Sequence, residues 1–439
     1  MDAIKLTVIG GGSSYTPELA DGIIKNYSTF PVKEIALVDV EEGREKVEII
    51  CSLLKRMFKK AGLPIAVYCT LDRRSALKGS HFVISQFRAG GLDARSGDEK
   101  IPLKYGIIGQ ETTGPGGFAN ALRTIPITLE ICRDIEEICP DSWLINFTNP
   151  SGIVSEAVSK YSKVKCLGLC NVPINMEREV CTSLGLDKSK VQCRFAGLNH
   201  LSFIGRIFVD GRDILESRGG SRLIKNNVVK NIKGSEIPSE FVDALGFIPS
   251  PYLKYFYLES DMFKEEFEKY NAGGITRADE VKEVESVLFD KYRDVSLNEK
   301  PEELSKRGGA LYSEAAVSLM NSIWNDASDI HVVNTTNRGC IPDLPRDAVI
   351  ETNCVISRSG AEPLVYGPLP DAVKGLVQQV KAYERLTVEA AVEGSQTKAI
   401  LALVNNPLVL DANKAQAIFA DILRANAPYL KHFLPEASR

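Results

Sequence analysis

Two short segments carry side chains that could hold a metal ion. Gly168-Leu169-Cys170-Asn171-Val172-Pro173 ends an apolar run on a cysteine, and Gly197-Leu198-Asn199-His200 follows about thirty residues later. A thiolate and an imidazole can bind a divalent cation between them, and two protein ligands leave coordination positions open for a substrate. Far upstream stands a turn of the type that binds a dinucleotide. Gly10 and Gly12 fill the first two fingerprint positions, in Gly10-Gly11-Gly12-Ser13-Ser14-Tyr15, and Asp39 closes the next strand where a ribose hydroxyl would be held. Tyr15 occupies the place of the third glycine, so the turn by itself also fits a strand-to-helix corner with no ligand. An acid at Asp39 favours NAD over NADP, because a carboxylate repels a 2′-phosphate. A nicotinamide beside an open metal predicts chemistry on a carbinol, with the metal on the oxygens and the cofactor taking hydride.

The elements that must position these groups alternate. Ile4 to Ile9 reads as a strand, Pro17 to Lys25 as a helix with Thr16 as its N-cap, and Glu34 to Val40 as the second strand. A helix from about Glu41 to Ala61 precedes strands at Ile65 to Thr70 and His81 to Ser85. Leu122 to Ile138 reads as a helix, and Trp143 to Asn146 and Val164 to Leu169 as strands. This order predicts an α/β fold: an N-terminal Rossmann-like, doubly wound parallel sheet over residues 1–195. Residues 196–439 read as a C-terminal α+β domain for substrate binding and oligomerisation. The stretch 87–117 is polar and glycine-rich and reads as a loop at the carboxyl edge of the sheet. There Arg88 and Arg95 could grip an anion, or pair with Asp93 or Asp98, and the glycines 114–117 suggest close backbone approach to a ligand. Asn149, in Asn146-Phe147-Thr148-Asn149-Pro150, could bind a hydroxyl or a cofactor amide, or merely open an Asn-Pro turn. Asn226 to Ser239 is rich in Lys and Asn and reads as a mobile loop or an insertion.

Composition narrows the classes. The net charge of -4 offers no basic face for nucleic acid, and no apolar run is long enough to span a bilayer. The N-terminus shows no secretion signal, so a cytoplasmic location is expected, and the 10 cysteines, without a CxxC pair, are expected to be reduced. Taken alone, Tyr252 among Tyr255, Phe256 and Tyr257 reads as a core aromatic, Arg277 as a helix-surface residue, and His81, His331 and His432 as satisfied core histidines.

The segments Ile9 to Glu18, Ile101 to Gly117, Asn146 to Gly152, Gly168 to Asn175, Gly197 to Phe203 and Pro251 to Tyr255 together resemble glycoside hydrolase family 4, nearest to its 6-phospho-β-glucosidases. That family is an NAD-dependent exception to two-carboxylate glycoside hydrolysis. The resemblance implies a lactate-dehydrogenase-like fold overall and hydrolysis of substrates such as cellobiose 6-phosphate. The implied steps are oxidation at C3 by NAD, removal of the C2 proton, elimination of the aglycone, addition of water and re-reduction. It further implies Cys170 and His200 as ligands to a divalent metal, Mn2+ by expectation. Tyr252 would be the base at C2, with Glu111 raising its basicity, and Arg95, Asn149 and Arg277 substrate contacts, the two arginines on the 6-phosphate. Asn171 stands where relatives acting on α-linked sugars carry an acidic residue, which favours a β-linked substrate and leaves the general acid unassigned. Gly10, Gly12, Ser13, Ser14 and Asp39 would hold the NAD. A homodimer or homotetramer is expected. The competing readings are a 6-phospho-α-glucosidase of the same family, an ordinary NAD-dependent hydroxy-acid dehydrogenase, and a non-enzymatic NAD sensor.

Overall fold

A computed structural model describes residues 3–224, 235–306 and 312–434. In chain order the strands are β1 (Ile4–Ile9), β2 (Val32–Val38), β3 (Ala66–Thr70), β4 (Phe82–Ser85), β5 (Trp143–Asn146), β6 (Lys165–Gly168), β7 (Val191–Leu198), β8 (Leu201–Val209), β9 (Arg212–Asp213), β10 (Ile248–Pro249), β11 (Asp329–Thr336), β12 (Val349–Ser357) and β13 (Gly360–Pro363). The first six pair in parallel in the order β3-β2-β1-β4-β5-β6. This is the doubly wound order, with its switch point between β1 and β4. Helices cover both faces, so β1 is buried along its whole length and reads as an unbroken apolar run instead of an alternating one.

The sheet does not stop at the expected boundary near 195. β11 pairs antiparallel with β6 through Asn334 and Gly168, and β12 and β13 continue outward, giving nine strands. β7, β8, β9 and β10 form a separate antiparallel sheet. Side chains of β12 staple the two sheets together. Asn353 accepts from the Phe195 amide at 2.7 Å and donates to the Cys193 carbonyl at 3.0 Å, while Thr352 donates to the Phe195 carbonyl at 3.0 Å. A clean cut at 195 would therefore sever one sheet's continuation and strand those polar groups.

Three local expectations are corrected. Thr16 is the first helical residue and Tyr15 the N-cap; the Thr16 hydroxyl donates back to the Gly11 carbonyl at 2.9 Å and closes the glycine turn. Residues 87–117 are helical over Gly91–Leu103 and in the first turn of Gly114–Ile138, while 104–113 between them is irregular as expected. The apolar period that betrays a helix is missing because the buried face is ionic: Arg123 forks onto Asp98 at 2.7 Å with both side chains fully buried. The glycines there serve the chain itself. A Cβ on Gly116 would lie 2.1 Å from the Gln110 carbonyl oxygen, and one on Gly117 would lie 2.4 Å from the Thr112 carbonyl carbon. Most of the Lys- and Asn-rich stretch, through 234, lies outside the described residues, and a short helix, Ser239–Leu245, begins at its end.

The three other histidines, expected in the core, are half-buried, each beside a local neighbour. His81 accepts from the Lys5 amide at 3.1 Å, and His432 packs on Phe433. His331 sits 3.0 Å from the Ser322 hydroxyl, and burial holds its pKa down to about 4. An unfolded histidine titrates near 6.5. Between these values the unfolded chain binds the extra proton, so stability rises with pH across the window and is lost as pH falls from 6.5 towards 4. His331→Gln is expected to flatten this acid limb in melting temperatures measured from pH 4 to 7. A residual slope from His200, whose pKa is lowered the same way, remains. An unchanged limb would show that His331 is not the titrating group.

Candidate active site

The glycine turn follows β1 at the carboxyl edge of the sheet. The amides of Gly10 and Gly11 both donate to the Val38 carbonyl at 2.9 Å, which bends the chain sharply after the strand. Gly10 has φ +81°, and a Cβ there would lie 2.9 Å from the Phe87 backbone, so only glycine fits. Asp39, just past β2, accepts from the Gly12 amide at 2.8 Å and from the Val40 amide at 2.9 Å. Burial pushes its carboxyl up; the two amides and Lys46 pull it back. Sequence reasoning missed what covers the turn from the far half. The Tyr292 hydroxyl donates to the Ser14 carbonyl at 2.9 Å, and Glu285 accepts from the Ser14 hydroxyl at 3.5 Å. Both belong to one helix, Arg277–Arg293, and their spacing of two turns was the only available signal. Backbone approaches that exclude a Cβ, at the switch point of a doubly wound sheet, fit a dinucleotide phosphate.

Cys170 follows β6 and precedes the helix Val172–Leu184. Burial and the carboxylate of Glu351 push its thiol well up, against the pull of the Asn171 and Val172 amides and the Asn199 side chain. A bound cation would reverse that, since a coordinating thiol is deprotonated. His200 lies in the turn between β7 and β8, at φ +63°. Burial holds its imidazole down to about 4, so the ring is neutral at physiological pH and keeps a nitrogen lone pair for a metal. It stacks face to face on Tyr252, with centroids 3.8 Å apart and planes 11° apart. Cys170 packs against the same buried apolar cluster that holds Tyr252, so the structure brings Cys170, His200 and Tyr252 together. Burial, then Cys170 and Glu111, push the phenol well up; Thr112 and Arg95 pull against them. Among the described residues no set of three or more His, Cys, Asp or Glu forms a closed metal cage. One soft and one borderline donor fit a divalent ion whose remaining positions are open.

The anion grip is more committed than the sequence suggested. Arg95 donates to Glu99 at 2.8 Å and lies 3.1 Å from Glu111, which also pairs with Arg88. Its guanidinium is thus largely spent within the protein instead of being presented as a free fork. Asp93 and Asp98, the expected partners, are taken by Lys282 and Arg123. Glu99 also accepts from the Ala278 amide at 2.7 Å, so it brings Arg95 to the start of the helix that carries Arg277. Arg277 pairs with Glu280 at 2.7 Å. The carbonyl of Asn149 accepts from Asn120 at 3.1 Å, and Asn171 occupies the N-cap position of its helix without a side-chain capping bond. A cavity of about 30 Å³ between Thr112, Pro150, His200 and Glu384 connects the Asn149-Pro150 turn with the imidazole.

Sequence profiles match in two blocks. "Family 4 glycosyl hydrolase" covers residues 5–186 and "Family 4 glycosyl hydrolase C-terminal domain" covers 195–409. The chain is similar to the "Probable 6-phospho-beta-glucosidase" of Bacillus subtilis (strain 168), with 49% identity over 98% of each chain. It is also similar to the 6-phospho-beta glucosidase of Thermotoga maritima, solved with manganese, NAD+ and glucose-6-phosphate. That match has a TM-score of 0.88 and 39% identity, over 97% of this chain and 99% of the other. The lactate dehydrogenase MGS-M5, from a deep-sea metagenome library, shares the fold alone, at a TM-score of 0.55 and 14% identity over 89% of this chain and all of the other.

Proposed function

We propose a reaction on the premise that this chain belongs to glycosyl hydrolase family 4: it hydrolyses 6-phospho-β-glucosides to glucose 6-phosphate and the aglycone, with NAD and a divalent metal as cofactors. The observation that carries the reading is the stack of His200 on Tyr252. It sets an imidazole nitrogen that could hold the metal beside a phenol that, once ionised to phenolate, can take a proton. When bound, NAD supplies reversible oxidation at C3 and the metal, Mn2+ by preference, supplies a Lewis acid to the sugar oxygens.

This chain's residues do the rest. The Gly10 to Ser14 turn and Asp39 hold the dinucleotide, and Cys170 and His200 hold the ion. The Tyr252 oxygen removes the C2 proton, whose acidity depends on the neighbouring ketone. Glu111, locked between Arg88 and Arg95, keeps a fixed negative charge on that phenol. Arg277, at a helix N-terminus, receives the 6-phosphate, and Arg95 offers it only the part of its guanidinium that Glu99 and Glu111 leave unbonded. Asn149 and Asn171 take hydroxyls. Asn171 cannot serve as an acid, which supports the β-linked class, where the leaving group departs without one from that position. Exposed Leu401 on the helix Gln396–Asn405 and Leu410 in the loop that follows it support assembly into a homodimer or homotetramer. We place the enzyme in the cytoplasm.

The test is an assay with p-nitrophenyl β-glucoside 6-phosphate. Colour release is expected only with both NAD+ and Mn2+ present, and no NADH should accumulate, because the hydride returns. Hydrolysis that survives removal of the nucleotide would reject the redox route. Steady NADH production from a hydroxy acid would instead mark a dehydrogenase.

A further inference from the structure

Glu351 lies on β12, 1% exposed, where no sequence motif singled it out. One carboxylate oxygen accepts from the Asn199 amide nitrogen at 3.0 Å and from Asn334 at 3.3 Å; the other accepts from the Ser202 hydroxyl at 2.7 Å. All three donors are neutral. A buried carboxylate with no cation is costly to keep charged, and its surroundings deepen the problem. Lys381 pairs with Glu156 at 2.5 Å and with Glu384 as well, so one buried lysine serves two carboxylates. Glu384, beside the cavity under His200, feels the charge of Glu351 too.

The three donors are not arbitrary. Asn199 and Ser202 bracket the β7–β8 turn that carries His200, whose left-handed backbone is uncommon for a non-glycine residue and must be held by its neighbours. The Asn199 side chain also accepts from the Gly152 amide at 3.3 Å. Asn334 pairs with Gly168, two residues before Cys170. A Cβ on Gly168 would lie 2.8 Å from the Asn334 Cβ, so the two strands touch there. One carboxylate thus ties the turn bearing the imidazole, in the small sheet, to the strand end bearing the thiol, in the large one.

We propose that Glu351 is the positioning residue of the metal centre: through Asn199 and Ser202 it fixes the turn that bears His200, through Asn334 the strand end that leads to Cys170, and the dication they bind balances its buried carboxylate. The inference rests on the reading of that pair as metal ligands. Carboxylates behind metal ligands orient them and raise their affinity, and losing one typically costs 10- to 100-fold.

The experiment titrates metal-stripped, full-length protein with Mn2+, reading free Mn2+ by electron paramagnetic resonance, and measures NAD binding in parallel. Glu351→Gln keeps an acceptor for Asn199 but no charge. It is expected to raise the Kd for Mn2+ by about 10- to 100-fold while the Kd for NAD is unchanged. In the Co2+-loaded protein it should also weaken the sulfur-to-cobalt charge-transfer band. Glu351→Asp, which restores the charge, is expected to recover part of the Mn2+ affinity. If Glu351→Gln fails to bind NAD and so has lost its fold, Asn199→Ser is read instead, with the same metal-selective loss expected. Wild-type Mn2+ affinity in either folded variant overturns the proposal. Cys170→Ser separates the two failures: if it binds Mn2+ as the wild type does, the ligand assignment itself is wrong; if it loses Mn2+ while Glu351→Gln keeps it, only the positioning role falls.

Discussion

Cys170→Ser is expected to lower kcat by about a thousandfold and to abolish Mn2+ binding at concentrations that saturate the wild type. Loss of a Lewis acid that stabilises a developing oxyanion removes several kcal/mol, and ~4 kcal/mol corresponds to about three decades in rate. Serine fills nearly the same space but is a far weaker acid than a thiol, so it offers no anion to the cation. The amides of Asn171 and Val172 that face the sulfur remain in place, so the loss is chemical and not a collapse of the loop. Affinity for NAD should be preserved, because the glycine turn depends on Val38, Asp39 and Tyr292 instead. Measured turnover with p-nitrophenyl β-glucoside 6-phosphate, together with a Mn2+ titration, decides the matter. A serine variant that binds Mn2+ normally and retains a tenth of the activity would refute the assignment.

Tyr252→Phe is the second large effect. A positioned general base contributes about 10²- to 10⁴-fold, so kcat is expected to fall by roughly a thousandfold. The ring is kept, and with it the stack on His200 at 3.8 Å, worth ~1 kcal/mol. Binding of Mn2+, NAD and sugar phosphate should therefore stay close to wild type, and the defect should appear in kcat and hardly in KM. The specific readout is exchange of the C2 hydrogen with solvent deuterium, which should cease. Undiminished exchange in the phenylalanine variant would move the base elsewhere, whatever happened to turnover. The phenol is buried, and its pKa is pushed upward by burial and by the Cys170 sulfur. A cation held by Cys170 and His200, as proposed, would supply the opposing pull, so both variants test the same few ångströms.

Much of this was legible in the chain. Fully buried parallel strands announce themselves as apolar runs, and the β1 turn as glycines where neighbouring backbone leaves no room for a Cβ. The acid at Asp39 and the thiol at Cys170 stand at strand ends, and strand ends are set locally, by where a run of apolar residues stops. The polar helix Gly91–Leu103 was read as a loop because its buried partners are ions contributed from elsewhere. Arg123 reaches Asp98 from 25 positions away, and Ala278 reaches Glu99 from 179. Periodicity reports which side of an element is apolar; it is silent about a side buried by charge pairing.

The amino-acid order by itself determined the doubly wound sheet, the dinucleotide turn and the chemical kinds of ligand available, because each depends on residues within a turn or a strand of one another. Only the tertiary structure decided that β11 to β13 extend the first sheet, that Arg95 is spent on Glu99 and Glu111, that Tyr252 lies against His200, and that Glu351 joins the turn carrying His200 to the strand end that leads to Cys170. Those facts are distances between segments far apart in the chain. They are set by which faces two sheets bury against each other, a choice that depends on the packing of the whole molecule and leaves no period or spacing in any one segment.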